Sequence, residues 1–138
     1  MSLDWLYSLD ELNAYRLDTE KGKERLEAQI KNLPGLLTVA GITLPKKPRI
    51  LCLMAGSCIE GIAFAQVYDA DVNCVDMQER LLAKGLKEAK KRKLKLHVVR
   101  GDVREPSKLV TGRFDLVTVW DSRFPMWGFS TSTRQSRM

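Results

Sequence analysis

Between positions 49 and 120 the apolar residues keep two alternating rhythms. Residues 50–54 (ILCLM) form an unbroken apolar run, which predicts a strand buried on both faces of a parallel sheet. In residues 59–68 the apolar side chains Ile62, Ala63, Phe64, Ala65 and Val67 suit a helix packed on that sheet. Residues 71–76 (DVNCVD) predict a second strand ending in an acid. Residues 78–92 predict a helix, with Leu81, Leu82, Leu86 and Ala89 on one stripe. Residues 94–99 alternate as a third strand, closed by Gly101 and Asp102, and residues 114–120 (FDLVTVW) make a fourth. A loop with a turn of helix around Pro106 fills residues 103–112.

The chain before this region reads as helical. Ser8 and Glu11 have the spacing of a capping box. Leu26, Ile30 and Leu33 share one face of a second helix, which the pattern ends near Pro34 and Gly35. Pro45 and Pro48 then mark a linker. The division expected is a helical extension over 1–44, a nucleotide-binding type of core over 45–124 and a flexible tail over 125–138.

Strands that alternate with helices imply right-handed crossovers and a doubly wound, mostly parallel α/β sheet. Starting from the first turn, its strand order is 3-2-1-4. Ligands of such sheets bind beyond the carboxyl ends of the strands, at the point where the winding reverses. The residues delivered to that edge are therefore the turn 54–58, Asp76, Gly101 with Asp102, and Trp120 with Asp121.

That set has a chemistry. Gly56 has no side chain to block an approaching ligand, and the helix behind it offers free N–H groups to a carboxylate or phosphate. Asp76 stands where an acid can accept hydrogen bonds from both hydroxyls of a ribose. Asp102 can accept from an exocyclic amine such as that of adenine, with Met77 and Val103 flanking the ring. Structural alternatives stand beside these readings. Asp76 also suits the N-cap of the helix that follows, and Asp102 suits a turn. The coincidence of acids at successive strand ends favours an adenosine-containing ligand.

Composition narrows the class further. The chain has 138 residues, a net charge of +6 and 44% hydrophobic residues, ordinary for one globular domain. No apolar stretch approaches the length of a membrane span, and the acidic N-terminus lacks a signal peptide's basic region, so a cytoplasmic, membrane-free protein is expected. The three cysteines, Cys52, Cys58 and Cys74, show no metal-binding spacing and read as buried thiols, with no metal expected. The block KEAKKRKLK at 87–95 is either a solvated helix face or a phosphate-contacting patch, which makes RNA a candidate partner.

The stretches ILCLMAGSCIEG, VNCVDMQERLL, VVRGDVRE and FDLVTVWDS, in this order across residues 49–127, resemble the class I S-adenosylmethionine-dependent methyltransferases. The resemblance implies a Rossmann-like fold and S-adenosyl-L-methionine as cofactor. Ala55, Gly56 and Ser57 would then be cofactor-binding, with Gly56 against the methionine part. Asp76, beside Met77, would hold the ribose, and Asp102 with the Val103 amide would read adenine. Trp120 and Asp121 would line the pocket near the methyl group, with Asp121 as the catalytic residue that orients an acceptor amine or hydroxyl. Tyr7 and Tyr15 are candidate lid residues.

Two departures accompany the resemblance. The family carries an acid where Cys52 stands and glycines where Met54 and Cys58 stand; Glu60 is a candidate to supply the missing acid from the helix. Beyond the fourth strand, SRFPMWGFSTSTRQSRM has no periodicity. A sheet ending there exposes an edge, so a homodimer, a covering partner or a truncated longer enzyme is expected. The function expected is methyl transfer to an acceptor such as RNA, or the cofactor-binding portion of such an enzyme. The alternative is a catalytically silent binding or assembly module. An NAD domain fits less well, because Met54 and Cys58 hinder close approach of a pyrophosphate.

Overall fold

The fold is described by a computed structural model covering residues 17–102, 104–105, 108–119 and 131–132. The expected capping box at Ser8 and the lid candidates Tyr7 and Tyr15 lie outside these residues. Helix α1 (Glu20–Val39) opens at Thr19, whose hydroxyl accepts from the Gly22 N–H at 3.0 Å and satisfies one free donor of the first turn. Its expected end at Pro34 is overturned, for the helix runs on to Val39 with Pro34 inside it. A proline in a helix interior costs about 3 kcal/mol. Leu33 and Leu37, one turn apart, are both buried in the core, and each such side chain stabilises by about 1.5–3 kcal/mol. Two anchors straddling the proline outweigh the bond it removes.

Six elements follow: β1 (Arg49–Leu53), α2 (Ile59–Tyr68), β2 (Asp71–Asp76), α3 (Glu79–Lys91), β3 (Leu96–Arg100) and β4 (Leu116–Val119). They pair in the order β3-β2-β1-β4, all parallel, as expected. A seventh element was not foreseen. Within the segment read as a flexible tail, β5 (Thr131–Ser132) pairs antiparallel to β4, Thr131 opposite Thr118 and Ser132 opposite Val117. Two residues are too few to show a period, and the free edge of β4 supplies the pairing.

The two sheet faces differ. Ile50, Cys52, Val72, Cys74, Leu96 and Leu116 point to the face that also receives α2 and α3. Helix α2 is buried all round from Ile59 to Ala65, because α1 lies over its outer side and inserts Leu26, Leu33 and Leu37. The opposite face gathers Leu51 and Val75 under Val110 and Phe114, from the crossover between β3 and β4. A right-handed crossover that reverses direction has to pass over the other face. Arg49 anchors that crossover: its N–H donates to Asp115, its guanidinium to the Thr111 carbonyl at 2.8 Å, and it lies 4.3 Å above the Phe114 ring. Arg92 ties the three helices together by bonding Glu88, Gln66 and Glu27. No helix among the described residues is long and apolar enough to cross a membrane.

Candidate functional site

The turn from β1 to α2 is built from three left-handed residues. Met54, Gly56 and Cys58 have φ of 55°, 58° and 66°, and they alternate with Ala55 and Ser57. Glycine adopts this conformation freely, whereas a residue with a Cβ pays about 1–2 kcal/mol. Met54 and Cys58 are thus glycine-type positions held by other residues. The turn keeps its shape because it is bonded from both sides. The Ala55 N–H donates to the Val75 carbonyl at 3.0 Å, and the Cys58 N–H to the Ala55 carbonyl at 2.9 Å.

Met54 is half-buried and Cys58 is fully buried, so the same replacement has opposite consequences at the two sites. Met54→Gly is expected to stabilise the protein by about 0.5–1 kcal/mol through relief of the left-handed strain. Cys58→Gly is expected to destabilise it, because the lost thiol leaves a core cavity. Thermal melts of both variants check the pair of signs.

Asp76 joins the turn to the next strand. One carboxylate oxygen accepts from the Gly56 N–H at 2.9 Å, and the other from the Gln78 N–H at 2.8 Å. The second bond lies just ahead of the helix, whose N-cap is Gln78 and not Asp76, so the N-cap role weighed from the sequence is not the one Asp76 takes; the first fixes the glycine turn. Asp76 is 6% exposed, and its carbonyl accepts from the Gly101 N–H at 3.0 Å. The tips of β1, β2 and β3 are stitched together at this one residue. A carboxylate has about four acceptor sites, so two lone pairs stay available to a ligand's hydroxyls. Met77, next along, is one of the few large apolar side chains left exposed among the described residues.

Asp102 is held differently. It accepts from the Arg104 N–H at 2.9 Å and from the Arg104 guanidinium through both oxygens. The guanidinium bonds, with the backbone bond, lower its pKa to about 2, so the carboxylate is charged at any physiological pH. The turn role weighed from the sequence is therefore occupied by Arg104. The structure brings Ala55, Gly56, Ser57, Asp76, Met77 and Asp102 to the carboxyl edge of the sheet, with Ser57 buried and Ala55 half-buried. Val103, Trp120 and Asp121 lie outside the described residues.

The three thiols are free and buried. Cys52 and Cys74 face each other in the β1–β2 register. Contact with Cys74, followed by burial, pushes the Cys52 thiol well above its ordinary pKa. For Cys74, contact with Cys52 favours the thiolate, but contact with Cys58, burial and the nearby Glu60 charge outweigh it, and its pKa is also raised. Un-ionised thiols are poor nucleophiles, so Cys52 and Cys74 serve as packing in the core they share with α2. Glu60, in the first turn of α2, is buried within reach of it.

One residue of the site was missed. Gly85 sits in the middle of α3 with no room for a Cβ, which would meet the Ser57 carbonyl and would lie 2.7 Å from the Cys58 Cβ. Helix α3 presses directly on the back of the turn there. A glycine inside an otherwise strong helix pattern costs about 1 kcal/mol against alanine, and that local cost was the available signal.

No protein-family model matches the chain, and no curated protein sequence does either. Solved structures do. Coclaurine N-methyltransferase, in a complex with N-methylheliamine and SAH, matches with 22% identity and a TM-score of 0.55 over 67% of this chain and 27% of its own. An S-adenosylmethionine-dependent methyltransferase from Clostridium acetobutylicum ATCC 824 matches with 16% identity and a TM-score of 0.52 over 68% and 36%. A putative sarcosine dimethylglycine methyltransferase from Galdieria sulphuraria matches with 16% identity and a TM-score of 0.58 over 75% and 38%. The chain thus spans well under half the length of each. With its parallel β3-β2-β1-β4 sheet and its left-handed turn after β1, the chain has the fold of the class I S-adenosylmethionine-dependent methyltransferases.

Proposed function

We propose that this chain is the cofactor-binding portion of an S-adenosylmethionine-dependent methyltransferase. The observation that carries the reading is the bond from the Gly56 N–H to Asp76, which sets a left-handed glycine turn and a ribose-type acid side by side. The residues present fit the cofactor. The space in front of the Gly56 α-carbon is open, since a Cβ built there would meet nothing within 4 Å. Asp76 keeps acceptor capacity for hydroxyls, exposed Met77 offers an apolar surface for a purine, and the first turn of α2 offers N–H groups to a carboxylate. Once bound, the cofactor supplies an electrophilic methyl group. What this chain contributes is positioning and exclusion of water. Asp121 and Trp120 are the proposed neighbours of the acceptor.

Titration calorimetry with S-adenosylhomocysteine and with NAD tests the proposal. We expect binding of S-adenosylhomocysteine that Asp76→Ala abolishes, and no comparable binding of NAD. Tight NAD binding would falsify it. Labelled-methyl transfer to cell RNA, protein and metabolite fractions then separates an active enzyme from a silent binding module. RNA enters as acceptor through the lysine block at 87–95, and the position of that block sets a condition. It lies at the amino edge of the sheet, so an RNA held there has to cross the sheet's full height to reach the cofactor edge.

A further inference from the structure

Residues 87–95 contain six cations and one acid in a chain whose whole net charge is +6. The acid, Glu88, is taken up by the one arginine, Arg92, at 2.7 Å. Arg92 also binds Glu27 and Gln66 and is spent on holding the helices together. The other five, Lys87, Lys90, Lys91, Lys93 and Lys95, are exposed. None forms an ion pair among the described residues, whereas Lys47, Arg49, Lys84, Arg100, Arg104 and Lys108 all do.

Three acids of the adjoining elements are already engaged. Glu27 binds Arg92, Asp69 faces Lys47, and Asp71 lies between Arg49 and His97. Lys90 and Lys91 stand in the last turn of α3, where the helix dipole favours cations. That argument does not reach Lys87, Lys93 or Lys95, which extend the charge back along the helix and forward to the start of β3.

What surrounds the lysines decides the partner. Leu94 and Leu86 are half-buried, and Ala89 and Leu96 are buried. Among the described residues the exposed large apolar ones, Leu36, Val39 and Met77, all lie elsewhere in the sequence. Residues 86–97 themselves therefore carry no exposed apolar stripe of the kind a membrane-surface helix needs and no Phe, Trp or Tyr on which bases stack. Spaced, flexible, unpaired ammonium groups without either suit a phosphate backbone read by charge alone.

We propose that the end of α3 and the following turn form a docking face for the phosphate backbone of nucleic acid, bound without sequence preference. It lies on the edge of the sheet opposite Gly56 and Asp76. Strand β2 spans six residues between the two edges, about 20 Å at roughly 3.3 Å per residue. The face recruits and does not take part in chemistry. It stands independently of the cofactor reading, because it shares no residue with that site.

Fluorescence anisotropy of the full chain with a labelled single-stranded RNA and a labelled DNA duplex tests this. Wild type should bind both and lose, between about 50 and 200 mM salt, at least about 15-fold in affinity for the single strand and about 40-fold for the duplex, as three or more phosphate contacts require. Lys87→Gln/Lys91→Gln/Lys95→Gln should weaken binding about tenfold or more and flatten the salt slope by about 2, with an unchanged melting temperature. Removing equal charge from α1, by Lys21→Gln/Lys23→Gln/Lys31→Gln, should change affinity less than threefold. Equal losses in the two variants, no salt-dependent binding by wild type, or tighter binding to phosphatidylserine vesicles than to nucleic acid each overturn the proposal.

Discussion

Asp76→Asn is expected to lower the melting temperature by about 5–10 °C and to weaken S-adenosylhomocysteine binding by about 10- to 100-fold. The side chain keeps its size and loses one acceptor. In wild type both carboxylate oxygens receive a backbone N–H, from Gly56 and from Gln78. An asparagine has one oxygen, and its NH₂ must face the other N–H, donor against donor, in a site only 6% exposed. A buried donor left without an acceptor costs about 1–3 kcal/mol, which in a domain of this size is a shift of several degrees. The binding loss has a separate origin, since the remaining oxygen can no longer serve both the turn and two ligand hydroxyls. The two effects are measured apart by melting the free protein and by calorimetry well below both melting points. A variant that melts early yet binds with wild-type affinity would reduce Asp76 to a staple of the turn and remove the ribose from the reading.

The elements themselves were legible because their signal is local. Residues 50–54 are apolar without a break, and β1 is buried at its centre on both faces of the sheet. The spacing of Asp76 from the turn was legible for the same reason, and a hydrogen bond spans it. The misses came where a distant contact overrode a local preference. Pro34 ends most helices, and only the burial of Leu33 and Leu37 against α2 carries α1 past it. Thr131 and Ser132 have no pattern, and the edge of β4 orders them. The turn lies between these cases. Met54 and Cys58 stand where the resembled family carries glycines, and the sequence alone does not say whether the backbone changes with the side chain. The backbone stays left-handed at both, because bonds from Val75 and Asp76 fix the residues between them. Sequence records which side chain stands at a position, whereas this turn's shape is set by acceptors one strand away.

Gly85→Ala carries that logic to a substitution whose sign reverses with tertiary context. Judged locally, it should help: alanine in a helix interior is favoured over glycine by about 1 kcal/mol. Gly35, inside α1, is the position where this holds. A Cβ there meets nothing within 4 Å, so Gly35→Ala is expected to stabilise the protein by up to about 1 kcal/mol. At Gly85 the new methyl would drive into the Ser57 carbonyl and approach the Cys58 Cβ and Sγ to 2.7 and 2.8 Å. Neither neighbour can swing aside. One is backbone of the glycine turn, and the other is a fully buried side chain that fills the space behind it. Either α3 is pushed off the sheet, uncovering Leu82 and Ala89, or Ser57 and Cys58 are pushed forward into the space in front of the turn. Overpacking of this kind costs about 1–3 kcal/mol, more than the helix preference returns. We therefore expect Gly85→Ala to melt below wild type, Gly35→Ala above it, and only the former to lose affinity for S-adenosylhomocysteine. If both variants melt higher, α3 does not press on the turn, and the wall behind Gly56 is not where the structure puts it.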